Sequence, residues 1–306
     1  MASARDIRRR IKGVKGTGKI TRAMEMISAV KMRKAIGAVL AIRPYALSAI
    51  ELLEQLSVAT RGDEHPLLTE RPVKTELYVV ITSNRGLCGA FNTQVSKHLR
   101  KILAEDADRA ARFITIGKKG EMAVRRFMAQ PKGRGGEIVA SFPDVLSTPT
   151  AESMRPIARV IIDEFERARA DRVVMVYTNY VSMMVQEVKV RGLLPVALKD
   201  TKKALNEMSE SVSEAKQKLS AEYIIEPSPK KVLWRMIPRL IEMELYHAVL
   251  ESNASQESSR MLAMRNATDA AKDMVSDLTL AYNQLRQQKI TQEIAELSAG
   301  MAAVQK

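Results

Sequence analysis

Several groups of residues in this chain are of types that do chemistry. Gly13-Val14-Lys15-Gly16-Thr17-Gly18-Lys19-Ile20 nearly spells a phosphate-binding loop, in which glycine amides surround phosphate, a lysine neutralises it and a hydroxyl holds magnesium. Ile20 stands where the hydroxyl belongs, and the arginine-rich residues ahead leave no room for the strand that should precede such a loop. The turn Ser83-Asn84-Arg85-Gly86-Leu87-Cys88-Gly89 follows a strand-like run and precedes a helical one, a topology that offers amides to an anion. It lacks the third glycine and the acidic ribose partner of the dinucleotide fingerprint, so it reads as a tight surface turn. Cys88 is a nucleophile only with a base at hand, and His98 lies too far along the following helix for local pairing. Glu164/Glu166 and Glu242/Glu244 stand two apart on helices and point different ways, which suits solvation better than paired acid-base work. His65, His98 and His247 are widely separated, with no ligand spacing. The expectation is therefore no catalytic residue, no metal and no cofactor.

Charge and composition narrow the partners. The 306 residues carry a net charge of +14, which calls for an acidic partner: nucleic acid, an anionic membrane surface or an acidic protein. Through Arg43 there are twelve Lys or Arg against Asp6 and Glu25, a local net of +10. One cysteine excludes an intrachain disulfide and a four-cysteine zinc site, and a reducing compartment follows. No apolar run approaches the roughly 18 residues of a membrane span. Charges recurring through Arg22 interrupt any signal-peptide core.

The elements that carry these groups fall into two kinds. Residues 1–58 are basic and helical in period, with apolar steps at Ile7, Ile11 and Val14, at Ile20, Met24 and Ile27, and at Met32, Ile36 and Val39. Gly13, Gly16 and Gly18 oppose that helix by roughly 1 kcal/mol each, so local propensity predicts a break that only a partner helix would override. Residues 229–306 read as one long helix, which at about 1.5 Å per residue would span on the order of 110 Å. Its seam, Met264, Thr268, Ala271, Val275, Leu278, Tyr282 and Leu285, alternates steps of four and three as a coiled coil does. A polar collar, Arg286 to Lys289, then shifts the register before Ile290, Ile294, Leu297, Met301 and Val304. Pro238 should kink the helix.

Between these lies a different grammar, residues 74–198. Strand-like runs at Leu77–Thr82, Phe113–Ile116, Glu137–Ser141 and Val173–Tyr177 alternate with helical ones, and Val185–Arg191 is placed to return antiparallel. The fold class is thus α/β: a central open, mostly parallel Rossmann-like domain, with a long antiparallel coiled coil of the N- and C-terminal helices. Residues 199–228 are a charged connector, exposed or mobile. Two functions of different class fit. A scaffold or mechanical protein would present the paired terminal helices to an acidic partner; a nucleic-acid binder would use the basic N-terminal helix. Residues 1–44 hold no aromatic for base stacking, and apolar steps on that helix demand a protein surface, which favours the first.

Five stretches carry a resemblance: Ile7-Arg8-Arg9-Arg10-Ile11, Lys19 to Met26 (KITRAMEM), Arg85-Gly86-Leu87-Cys88-Gly89, Met261 to Asp269 (MLAMRNATD) and Ile290-Thr291-Gln292-Glu293-Ile294. In this order and from end to end, the chain resembles the gamma subunits of rotary F-type ATP synthases. The resemblance implies a non-catalytic shaft whose coiled coil enters a ring of three alpha and three beta subunits. The central domain would then meet the epsilon subunit and the membrane c-ring. It implies ring contacts at Met24, Arg33, Lys34 and Cys88, and at the collar of Arg286, Gln287, Thr291 and Glu293. A foot of Tyr223, Ile225 and Glu226 would rest on the c-ring. It further implies no nucleic-acid partner and a peripheral place on the cytoplasmic face of the bacterial plasma membrane. Gly16 and Gly18 depart from the Asn and Gln usual there, and the paired-cysteine insertion of chloroplast relatives is missing.

Overall fold

A computed structural model describes residues 4–59, 65–106, 108–129, 136–143, 149–196 and 226–304. The β-branched run Thr75–Ile81 is strand β1, and its pleat sends Leu77, Val79 and Ile81 to one face and Tyr78 and Val80 to the other. Both faces are buried, as a central parallel strand requires. Four more strands follow: β2 (Ala110–Ile116), β3 (Gly136–Phe142), β4 (Arg172–Tyr180) and β5 (Gln186–Leu194). Their order is β3-β2-β1-β4-β5, parallel throughout except that β5 returns antiparallel along β4. The antiparallel return of the fifth strand thus matches the reading of residues 185–191.

Helices cover the sheet on both sides. α2 (Phe91–Glu105) and α3 (Lys118–Met128) set Val95, Leu99, Leu103 and Val124 against Tyr78, Val80 and Phe113. The opposite face is closed by α4 (Ala151–Glu166), through Met154, Ile157, Ile161 and Phe165, and by Leu233 to Val249 of α5 (Pro229–Val304). α4 opens on a capping box in which Thr150 and Ser153 satisfy each other's amides.

Arginines neutralise three buried carboxylates, Glu76, Glu164 and Glu244. Glu76 accepts the Tyr78 hydroxyl at 2.7 Å, with Arg109 and Arg172 at 3.5 and 3.6 Å. Glu164 lies between Arg112 at 2.5 Å and Arg169 at 2.8 Å, and Glu244 faces Arg191 at 3.4 Å. Glu164 and Glu244 are therefore buried ion-paired groups, which corrects their reading as solvated carboxylates; tertiary packing brings in the arginines.

The terminal helices are unbroken. α1 runs Ala4–Ala59, through Gly13, Gly16, Gly18 and Pro44, and α5 passes through Pro238. The chain divides into two compact units, Met1–Ala29 with Arg260–Lys306, and Val30–Ser259. The connector at 199–225 lies outside the described residues.

Candidate functional site

In the unit built from the two chain ends, the close contacts set direction and register. The Thr21 and Thr268 hydroxyls are 2.7 Å apart, and a Cβ at Gly18 would stand 3.4 Å from that of Ala271. Moving three residues down one helix matches three up the other, so the pair is antiparallel. The same register sets Val14 by Val275, Ile11 by Leu278, Ile7 by Tyr282 and Ala4 by Leu285. Burial follows it, with covered or half-covered residues at each of these positions. A close-packed neighbour is the reason glycine does not break α1 at position 18: the small residue is what admits Ala271.

The N-terminal seam differs from its apolar reading. Ile20 and Ile27 are exposed at 63% and 56%, while Thr21 and Ser28 are buried. Counted by spacing, Ile7, Ile11, Val14, Gly18, Thr21, Glu25 and Ser28 alternate fours and threes just as the C-terminal seam does. Following apolar identity instead of that spacing misses Thr21 and Ser28, which face inward. Each hydroxyl also has a backbone carbonyl in reach, Gly18 O 3.1 Å from Thr21 Oγ1 and Met264 O 2.8 Å from Thr268 Oγ1, so one threonine donates across the pair while the other donates to its own helix.

Beyond Leu285 the described α1 has no residue left to pair, since it begins at Ala4. The register shift read at Arg286–Lys289 therefore has no partner helix to act on among the described residues. Ile290, Ile294, Leu297 and Met301 stand between 44% and 70% exposed. The collar residues Arg286, Gln287, Thr291 and Glu293 are exposed within two turns of each other. Thr291 donates to Gln287 O at 3.0 Å, and Lys289 lies 3.9 Å from Glu293. Along the paired part, a groove of about 650 Å³ is lined by Val14, Met26 and Val275 together with Lys15, Lys19 and Lys272. Lys272, hydrogen-bonded to Asp269 at 2.9 Å, holds that carboxyl below its ordinary value.

The remaining sequence-derived residues scatter. Met24 is half-buried, and Arg33 and Lys34 are exposed on α1. Glu226 is exposed, whereas Tyr223 and Ile225 lie outside the described residues. Cys88 is buried, its sulfur 3.1 Å from the Asn92 amide nitrogen, and the turn's exposed side chains are Arg85 and Leu87. Leu87 adopts a left-handed φ of 61°.

The glycine-rich run that suggested phosphate chemistry is helix, and the turn after β1 spends its polar groups on neighbouring segments. Gly13 to Ile20 is helix, with its amides committed to the helix ladder. At α3, Lys118 N–H donates to Asn84 Oδ1 at 3.0 Å, Lys119 N–H to Ser83 O at 3.0 Å and Gly120 N–H to Thr82 Oγ1 at 2.6 Å. A side chain at Gly120 would strike that hydroxyl, at 2.7 Å. Asn92 Oδ1 accepts from Ser83 N–H and Oγ–H, closing the turn on itself. His98 is exposed and bonds its own helix at Gln94 O, apart from buried Cys88. The described residues contain no group of three or more His, Cys, Asp or Glu able to hold a metal, and no helix among them is long and apolar enough to cross a membrane.

Comparison with known proteins covers nearly the whole chain. A family model described as ATP synthase matches residues 3–304. The ATP synthase gamma chain of Desulforamulus reducens is 40% identical over 308 residues, covering 100% of both chains, and that of Acidithiobacillus ferrooxidans is 40% identical over 309 residues, covering 99% of this chain and all of the other. Among solved structures, a chain of the Euglena gracilis mitochondrial ATP synthase rotor aligns at TM-score 0.61 and 20% identity, over 94% of this chain and 98% of the other. A chain from the central stalk and c-ring structure of the Tetrahymena thermophila mitochondrial enzyme aligns at TM-score 0.58 and 23% identity, over 81% and 99%. With an antiparallel pair of chain-end helices, a β3-β2-β1-β4-β5 sheet and full-length identity of this degree, the chain belongs to the ATP synthase gamma chain family.

Proposed function

We propose that this chain is the central rotary shaft of an ATP synthase, coupling ion-driven rotation of a membrane c-ring to conformational change at nucleotide sites on an alpha/beta ring. The observation that carries the reading is the helix that outlasts its partner: past Leu285, α5 exposes Ile290, Ile294, Leu297 and Met301, an apolar stripe that water does not favour and that a surrounding sleeve would cover. Ile20, Met26 and Ile27 expose a second apolar patch on α1 among basic residues. A single asymmetric axle inside a threefold ring meets chemically equal subunits with unequal faces. Each subunit's equilibrium between open and closed states is then biased differently, and turning the axle exchanges the biases.

In this reading the chain is non-catalytic and the ring holds the chemistry. Met24, Arg33, Lys34, the Cys88 turn, Arg286, Gln287, Thr291 and Glu293 touch the ring. Arg85 and Leu87 carry the contact at the Cys88 turn, since they are its exposed side chains. Glu226, with Tyr223 and Ile225, rests on the c-ring, and the epsilon subunit binds the sheet unit. The protein is then peripheral, on the cytoplasmic face of the bacterial plasma membrane. The relatives named gamma chain and the solved rotor and central-stalk chains support this assignment.

The test is reconstitution. Alpha and beta subunits with this chain should give a complex that hydrolyses ATP, the isolated chain none, and removal of residues 295–306 should weaken assembly or torque only in part. Robust hydrolysis by the isolated chain, or full assembly after deletion of residues 1–40, would overturn the proposal.

A further inference from the structure

Doubly wound sheets bind ligands in the crevice beyond the carboxyl ends of their strands, where the strand order reverses. Here that point lies between β1 and β4. It is covered by one turn of α5. Ser255 Oγ donates to Thr178 O at 3.3 Å, near the end of β4. Ser258 Oγ donates to Met183 O at 2.7 Å, in the turn joining β4 to β5. Ser259 Oγ donates to Cys88 O at 2.8 Å, in the turn after β1. Three hydroxyls at positions i, i+3 and i+4 share one helix face and reach three separate backbone segments of the sheet's rim.

Two properties set this turn apart from the apolar packing of Leu233 to Val249. Apolar contact is non-directional and tolerates sliding. A hydrogen bond weakens steeply once its angle is lost, so turning the helix about its axis by a single residue step, about 100°, carries all three hydroxyls off their acceptors. The turn is also enclosed: Ser255 and Ser258 are fully buried, and Ala254 and Gln256, on other sides of the helix, are buried as well. Small serines bring the helix backbone close to the rim, and backbone acceptors hold it whatever the neighbouring side chains.

We infer that Ser255, Ser258 and Ser259 form a rotational lock that fixes the azimuth of α5 on the sheet, seated in the crevice where relatives of this sheet architecture hold ligands. Turning force applied to the sheet then reaches the helix without slip. The use of that force rests on the shaft reading above; the lock itself does not.

The triple variant Ser255→Ala/Ser258→Ala/Ser259→Ala tests both levels. In the isolated full-length chain, hydrogen exchange at amides of 83–92 and 252–260 should quicken by roughly 100-fold, as three hydrogen bonds of ordinary strength imply. In the reconstituted membrane complex, ATP hydrolysis should persist while ions moved per ATP hydrolysed fall. Unchanged exchange overturns the lock. Quickened exchange with an undiminished ion-to-ATP ratio overturns its role in passing torque. Should the triple variant fail to fold, Ser258→Ala is read by the same two measurements, with roughly 5-fold faster exchange expected. A parent complex that hydrolyses ATP without moving ions refutes the shaft reading instead, and leaves the lock to be judged on exchange alone.

Discussion

Replacing Gly13 and Gly16 by alanine should stabilise the N-terminal helix. A Cβ built at either position meets no atom within 4 Å, so the methyl group carries no steric penalty. The helix-propensity difference, about 1 kcal/mol per site, then comes through nearly whole, giving about 2 kcal/mol for the double variant. Gly18 behaves differently because its Cβ would lie 3.4 Å from that of Ala271. Alanine fits there in ordinary contact, whereas Gly18→Leu must push the helices apart and should cost about 1–3 kcal/mol. Urea unfolding of the full chain, followed by far-ultraviolet ellipticity and by protease resistance of residues 4–29, measures both effects. The reasoning fails if the Gly13/Gly16 double variant is neutral or less stable. It fails equally if Gly18→Leu is as stable as Gly18→Ala, since the close approach that explains the unbroken helix would then not exist.

Two further outcomes follow from buried polar groups. Thr268→Val removes one member of the Thr21–Thr268 pair and should cost about 1 kcal/mol, while adding Thr21→Val should cost little more, because the one cross-helix hydrogen bond is already lost and Thr21 keeps only its bond to Gly18 O; additive losses in denaturant melts would refute this. His65 is buried, accepts the Leu67 N–H on Nδ1 at 3.1 Å and packs 4.4 Å from the ring of Trp234, and burial lowers its pKa below 6.5. Above that value the ring is neutral in both states and contributes no pH dependence. Below it the unfolded chain takes the proton first, so stability should fall as pH drops, until the folded ring titrates too. Trp234, the only tryptophan, reports this unfolding by its emission, and His65→Asn, which keeps an acceptor for Leu67, should flatten the acid slope; an unchanged slope would refute it.

Much of this protein is written in local pattern. The continuous apolar, β-branched run at Leu77–Ile81, the helical runs of α2 to α4 and the four-three steps from Met264 to Leu285 depend only on neighbours along the chain, so the α/β centre and the C-terminal coiled-coil seam can be read without a structure. The motifs from Ile7 to Ile294 likewise carried the family, because they stand in order along one chain. What the tertiary structure decided concerns partners remote in sequence. Which face of α1 is inward follows from Ala271 and Thr268, more than 240 residues away, and it buries Thr21 in place of the more apolar Ile20. Glu164 and Glu244 look solvated until Arg112, Arg169 and Arg191 are brought to them. The serines at 255, 258 and 259 are ordinary helix residues in the sequence; only the backbone carbonyls of Thr178 near the end of β4 and of Met183 and Cys88 in the adjoining turns give their hydroxyls acceptors. Periodicity is a property of one segment, whereas burial of a polar group is settled by what another segment offers it.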